Sequence, residues 1–317
     1  MLRLPPATGM CWITVEDIAF PNGWRNPVEA AARGRWYCEQ LERSQILFCS
    51  QPPFDLPGQD AEFLVAQRQA DSRIHKNVSY RPQEDVLRGF SDGQETRARM
   101  HEVMRRYSAQ VTQFVSKFLS PYSGRVALDF ASYRPLEEAG RKLPLHKRND
   151  LLHVDAFPSR PTRGGRILRV FTNLHPNQPR IWLTTDRFPA LAQRFASDAG
   201  LGKFAGGSGA PLGGLWAGIA RALHLRPAER SPYDSFMLRF HDYLKENSDF
   251  QANCSKTRLE FPPQSTWLVF TDSVPHAALS GRFALEQTFI VPLAATVSPQ
   301  EAPIRVLERL CGCPLAA

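Results

Sequence analysis

Across residues 94–119 the apolar side chains Met100, Val103, Met104, Tyr107, Val111, Phe114, Val115 and Phe118 recur at spacings of three and four. That period predicts one long helix with a basic, polar opposite face. An earlier helix is predicted from Asn26-Pro27, with Glu29 in its first turn, to about Arg43, followed by a short strand over 46–49. After Gly124 the period changes to two. Val126, Leu128 and Phe130 alternate with Arg125, Ala127 and Asp129 in a strand over 125–134, and β-rich runs follow at 167–174, 181–185, 266–271 and 283–291. The alternation predicts an antiparallel β domain. Between Asp186 and Pro263 the helical stretches 190–198, 215–223 and 235–245 read as an insertion between two core strands. The glycine-rich run 200–214 inside it lacks the Gly-Lys-Ser/Thr ending of a phosphate loop and reads as a mobile connection.

With 317 residues, 43% of them hydrophobic and 22% charged, the chain has the makings of a sizeable core, and a disordered chain is excluded. Cys11, Cys38, Cys49, Cys254, Cys311 and Cys313 show no paired CxxC spacing, so they read as reduced thiols and not as a zinc site or a disulfide framework. The apolar stretch 288–297 is interrupted by Pro292 and is about half the ~20 residues that a membrane-spanning helix needs. Glu16 and Asp17 break up any secretory apolar region at the N-terminus, so a cytosolic protein is expected. The net charge of +8 suggests a polyanionic partner: nucleic acid, an anionic membrane surface or a phosphorylated substrate. No nucleic-acid-binding motif accompanies it.

The candidate chemistry lies in His153-Val154-Asp155. Strand alternation puts the imidazole and the carboxylate on one side, where both can close on one metal ion. His276, in Val274-Pro275-His276 after the apolar run 267–270, is the candidate third ligand. Two histidines and one carboxylate on one face, with the opposite face open, suit a non-haem Fe(II) oxygenase. Eight histidines will produce some HxD by chance, and His146, His175, His224 and His241 read as ordinary surface or core residues. The joint pattern of HxD entering a β-rich region, several strands and a late His raises the metal reading above coincidence.

Longer blocks narrow the choice. Residues 74–82 (IHKNVSYRP), 132–135 (SYRP), 153–161 (HVDAFPSRP), 169–174 (RVFTNL) and 274–276 (VPH) together resemble the Kdo hydroxylases. These are Fe(II)- and 2-oxoglutarate-dependent dioxygenases of Gram-negative bacteria that hydroxylate C3 of 3-deoxy-D-manno-oct-2-ulosonic acid (Kdo) on Kdo-lipid A. The HxD…H part is shared by the whole superfamily. The resemblance implies an α+β fold: a double-stranded β-helix, or jelly roll, with packed N-terminal helices and a helical insertion. It divides the chain into a helix-rich region 1–123, a core 124–300 with insertion 186–263, and a C-terminal tail 301–317. It also implies His153, Asp155 and His276 as iron ligands, with 2-oxoglutarate and O2 as co-substrates and succinate and CO2 as products.

The far carboxylate of 2-oxoglutarate needs a cation, preferably a guanidinium. In much of the superfamily it follows the distal histidine along the last strand, where this chain has Glu286, Gln287 and Thr288. Arg282, six positions after His276 and on the strand face of Thr288, is the first candidate; Arg169, sharing a face with Asn173, is the second. Arg134, Arg141, Lys147, Arg148, Arg160 and Arg163 flank the HxD motif and form a candidate basic rim for the carboxylate and phosphates of the glycolipid. The same rim would suit a peripheral position on an anionic inner-membrane leaflet. Two other readings remain open: the same chemistry on a nucleobase, protein side chain or small metabolite, and a non-catalytic β barrel that binds a polyanion.

Overall fold

The computed structural model describes residues 12–15, 27–67, 77–90, 93–205 and 230–316. Residues 74–76 of the first sequence block, the predicted helix 215–223, most of the glycine-rich run, Cys11 and His224 lie outside them. The N-terminal part runs β1 (Trp12–Thr14), α1 (Pro27–Glu42), β2 (Ile46–Cys49), α2 (Gly58–Ala66), β3 (Val78–Arg81), β4 (Val86–Arg88) and α3 (Gln94–Phe118). In α3 every apolar residue of the predicted stripe is buried, and Glu95 and Lys117 sit in the first and last turns, where they complement the helix dipole.

The core strands are β5 (Ala127–Arg134), β6 (Arg166–Asn173), β7 (Arg180–Thr184), β8 (Thr257–Phe261), β9 (Thr266–Phe270), β10 (His276–Ser280) and β11 (Ala284–Val291). They form two sheets. The larger has the order β1-β2-β9-β6-β11-β5-β3-β4, and the smaller the order β10-β7-β8, to which the His153 segment adds an antiparallel bridge at His276. From β5 onward the chain passes back and forth between the sheets, as a double-stranded β-helix does.

The period-two pattern explains the layering. Leu168, Val170, Leu285 and Phe289 face α1 and α3 in one apolar cluster. Phe171, Trp182, Phe261 and Trp267 form a second cluster between the sheets, where the Phe261 and Trp267 rings stack at 3.9 Å. A third cluster joins the insertion helices α4 (Phe188–Phe195) and α6 (Pro232–Glu246) to Leu152 and Val154. The short helices α5 (Leu201–Ala205) and α7 (Ser248–Asn253) complete the insertion.

Three features differ from the sequence-based expectation. Besides the expected strand 46–49, the N-terminal region supplies β1, β3 and β4, so that its strands extend both edges of the large sheet. Residues 257–261, placed in the insertion, pair with β7 from Thr184↔Thr257 to Arg180↔Phe261 and belong to the core. Residues 301–317, expected as a tail, hold α8 (Pro303–Cys311), which opens with a proline in its first turn, buries Ile304, Val306 and Leu307, and ends at Gly312 with φ 72°.

Candidate metal centre and its surroundings

The hydrogen bonds His153 N to His276 O and His276 N to His153 O, at 3.2 and 2.9 Å, hold the two segments face to face. Asp155 is fixed by its N–H, which donates to Thr271 O at 2.8 Å. In each histidine Nδ1 hydrogen-bonds the carbonyl two residues earlier: Leu151 O at 2.7 Å and Val274 O at 3.0 Å. That leaves both Nε2 atoms as free lone pairs, the arrangement metal-binding histidines use. His153 Nε2 lies 3.6 Å from Asp155 Oδ1 and His276 Nε2 3.9 Å from Oδ2. One ligand atom from each residue fits within 4.8 Å of the others, and this is the metal-competent cluster found among the described residues.

The protonation states also suit a metal. Burial pushes the His153 pKa down to about 3 and lowers that of His276. Burial alone would raise the Asp155 pKa, yet Arg169 and the two histidines hold it well below the ordinary value. Neutral imidazoles and an ionised carboxylate are the metal-ligating forms. Asp155 Oδ2, 3.2 Å from Arg169 Nη2, still lacks a well-aligned hydrogen bond, which marks it as an acceptor with spare capacity.

Beside the triad lies a buried charge network. Arg169 reaches Asp155 and, at 2.9 Å, Glu286; Arg134 donates through Nε to Glu286 at 2.8 Å; Thr288 Oγ1 donates to Glu286 at 3.2 Å. Arg169 and Thr288 thus meet at Glu286, with Arg169 also beside Asp155 of the candidate metal cluster. Arg282 does not join them. It stacks on Phe283 at 4.6 Å, its Nε lies 3.4 Å from the Pro135 carbonyl, and its charge acts on His175 and Tyr133. Asn173 is committed to the backbone: it donates to Gln178, Phe261 and Pro262 carbonyls and accepts from the His175 N–H.

The expected basic rim is only partly a free surface. Arg134 is held by Glu286, Arg141 lies 3.9 Å from Glu138, and Arg148 forms a fork with Asp150 at 3.0 and 2.6 Å. Arg160 pairs with Asp129 and lies between the rings of Phe130 and Phe157, at 4.0 and 4.4 Å. Lys147 and Arg163 are exposed.

Sequence reasoning passed over three neighbours of the triad. Glu286, noted only as occupying the place of a cation, bridges two arginines. His241, read as ordinary, packs its ring 4.9 Å from that of His153 and hydrogen-bonds Val154 O at 2.8 Å. Trp182 stacks on His276 at 5.0 Å. The available signal for the second was the spacing of His241 and Lys245, one turn apart on a helix inserted next to the HxD strand.

Two histidines and a carboxylate, facing one way from the strands of a double-stranded β-helix, define a non-haem Fe(II) and 2-oxoglutarate-dependent dioxygenase. The chain belongs to the 3-deoxy-D-manno-oct-2-ulosonic acid (Kdo) hydroxylase family, whose family model matches residues 24–314. It is similar to the crystal structure of the Kdo hydroxylase KdoO with α-ketoglutarate and Fe(III). That match has a TM-score of 0.77 and 31% identity, and it covers 90% of this chain and 92% of that one. The cobalt(II) complex of KdoO matches equally, and the complex with succinate and Fe(III) matches at TM-score 0.76 and 30% identity over the same shares. No match is found among curated protein sequences. The donor set fits Fe(II), and the enzyme uses Fe(II), 2-oxoglutarate and O2.

Proposed function

We propose that the chain hydroxylates C3 of Kdo on a Kdo-lipid A glycolipid while 2-oxoglutarate and O2 become succinate and CO2. The observation that carries this reading is the buried His153, Asp155 and His276 cluster in a chain of the Kdo hydroxylase family. Iron, when bound, supplies the activation of O2. The protein's own residues do the rest: His153, Asp155 and His276 hold the metal, and the buried surroundings limit the entry of water.

Arg169 is the better candidate for the far carboxylate of 2-oxoglutarate. With Asp155 engaged by a metal, Arg169 shares only Glu286, and shares it with Arg134, so guanidinium donors remain for a second carboxylate. Thr288 orients Glu286, and Asn173 shapes the turn after β6. Arg141, Lys147, Arg148, Arg160 and Arg163 flank the HxD segment in sequence and would meet the anionic glycolipid. No helix among the described residues is long and apolar enough to cross a membrane. A lipid-borne substrate therefore calls for peripheral contact with the cytosolic leaflet, made through exposed basic side chains.

The test has two arms. Succinate formation that requires both Fe(II) and added glycolipid, with a gain of one oxygen atom on the Kdo unit by mass spectrometry, is the expected result. Succinate without a change in the glycolipid would redirect the chemistry to another substrate, and no succinate at all would leave a binding barrel.

A further inference from the structure

Among the described residues, the lysine and arginine side chains that are buried are Arg166, Arg180 and Lys245. Arg166 pairs with Asp272 at 2.8 Å and Arg180 with Glu138 at 3.4 Å. The largely buried Arg134 and Arg169 are paired as well. Lys245 is the exception among the described residues. It is 4% exposed, and its Nζ donates to the His146 carbonyl at 3.0 Å, with no carboxylate in ion-pair contact. An ammonium carries three donors, and a buried cation without a counter-charge is strongly unfavourable unless an anion joins it. Burial lowers the Lys245 pKa to about 8, so the group is still mainly charged at neutral pH; Asp155, Asp242 and Asp150 act in the opposite direction at longer range.

Its place in the fold says which anion. Lys245 stands one turn beyond His241 on α6, and the His241 ring packs against that of His153. An unpaired cation is thus held in the neighbourhood of the metal ligands, separate from the Arg169 and Glu286 network. In a 3-deoxy-2-ulosonic acid the acid carbon is C1, so the carboxylate is separated from C3 by C2 alone. Hydroxylation at C3 carries that carboxylate into the same neighbourhood.

We propose that Lys245 receives the carboxylate of the Kdo sugar and so selects the carbon that faces the iron, an inference that rests on the Kdo reading above. The His146 carbonyl keeps one donor of the ammonium and the sugar carboxylate takes the others. Lys245 is then a specificity residue for an acidic sugar.

The test uses the full-length, iron-loaded enzyme with Kdo-lipid A and with the same glycolipid carrying its Kdo carboxylate as a methyl ester. Wild type is expected to prefer the acid by ~30-fold or more in kcat/KM, the size typical for loss of one partner of a buried charge pair. Lys245→Met and Lys245→Gln should lose that factor on the acid and little on the ester, and Lys245→Arg should recover part of the preference. Thermal unfolding of each variant checks that it is folded. An unchanged acid preference in folded Lys245→Met and Lys245→Gln, or an equal loss on both substrates, overturns the inference alone. A wild-type enzyme that hydroxylates neither glycolipid overturns the Kdo reading and the inference with it.

Discussion

Each metal-site histidine is anchored through Nδ1 to a carbonyl two residues back, so neither ring can turn without losing a hydrogen bond. Asp155 has no such redundancy as the anionic ligand. Asp155→Ala is expected to abolish turnover and to weaken Co(II) or Fe(II) binding by more than the ~10–100-fold typical of losing an outer-shell partner. The circular dichroism spectrum should stay that of the folded protein, because the apolar clusters do not include this side chain. Equilibrium dialysis gives the metal affinity, and normal binding by the variant would remove Asp155 from the ligand set. The second residue-scale prediction separates two arginines. Arg169→Met should raise the 2-oxoglutarate concentration for half-maximal succinate formation about tenfold or more, the worth of one charge-assisted hydrogen-bond pair, while Arg282→Met leaves it near wild type. The reverse ranking would return the carboxylate to Arg282.

At the scale of elements, the turn between β10 and β11 carries a constraint that only glycine meets. Gly281 has φ +127°, and a Cβ there would stand 2.8 Å from Arg180 Cγ. Its N–H donates to Glu137 and its carbonyl accepts from Arg180. Gly281→Ala is therefore expected to cost ~1–3 kcal/mol, read as a lower thermal midpoint; an unchanged midpoint would mean that the turn relaxes freely. How far the fold could be read from sequence also depends on the element. The helix α3 was legible almost to the residue because its stripe, from Met100 to Phe118, persists over about five turns and every member is buried. Strand β8 was not, because it lies at a sheet edge with Arg258 and Glu260 exposed, so half of its residues look like loop. Helix α8 was hidden by its shortness, although Pro303 and Gly312 bracket it as start and stop signals. The clustering of His153, Asp155 and His276 was legible because a candidate metal site needs particular residue types in strand register. The network around it was not: Arg134 and Glu286 are 152 positions apart, and nothing local in either segment announces the pairing.

For the molecule as a whole, the net charge of +8 overstates the free positive surface near the barrel. Arg134, Arg141 and Arg148, which looked from sequence like a basic rim, face Glu286, Glu138 and Asp150 in the structure. Between β5 and the HxD segment, Lys142 and Lys147 are the exposed lysines, and neither makes an ion pair among the described residues. If the enzyme meets its lipid-borne substrate at an anionic surface, these two supply the attraction on this side, at ~1 kcal/mol each. Binding to vesicles containing anionic phospholipid should therefore be weak at physiological salt, where screening acts over ~8 Å, and should fall steeply as salt is raised. Lys142→Gln combined with Lys147→Gln should lower the vesicle-bound fraction by a factor of about 30 in partition coefficient, since ~2 kcal/mol of attraction is removed. Succinate formation with detergent-dispersed glycolipid separates the two roles that this segment could play. Vesicle binding that falls while turnover in detergent is kept places the lysines at the membrane surface, whereas a loss of turnover in detergent places them in substrate recognition. Wild-type protein that stays on vesicles in high salt, or never binds them, would sink the electrostatic account and leave apolar contact or direct capture of the glycolipid as the way in.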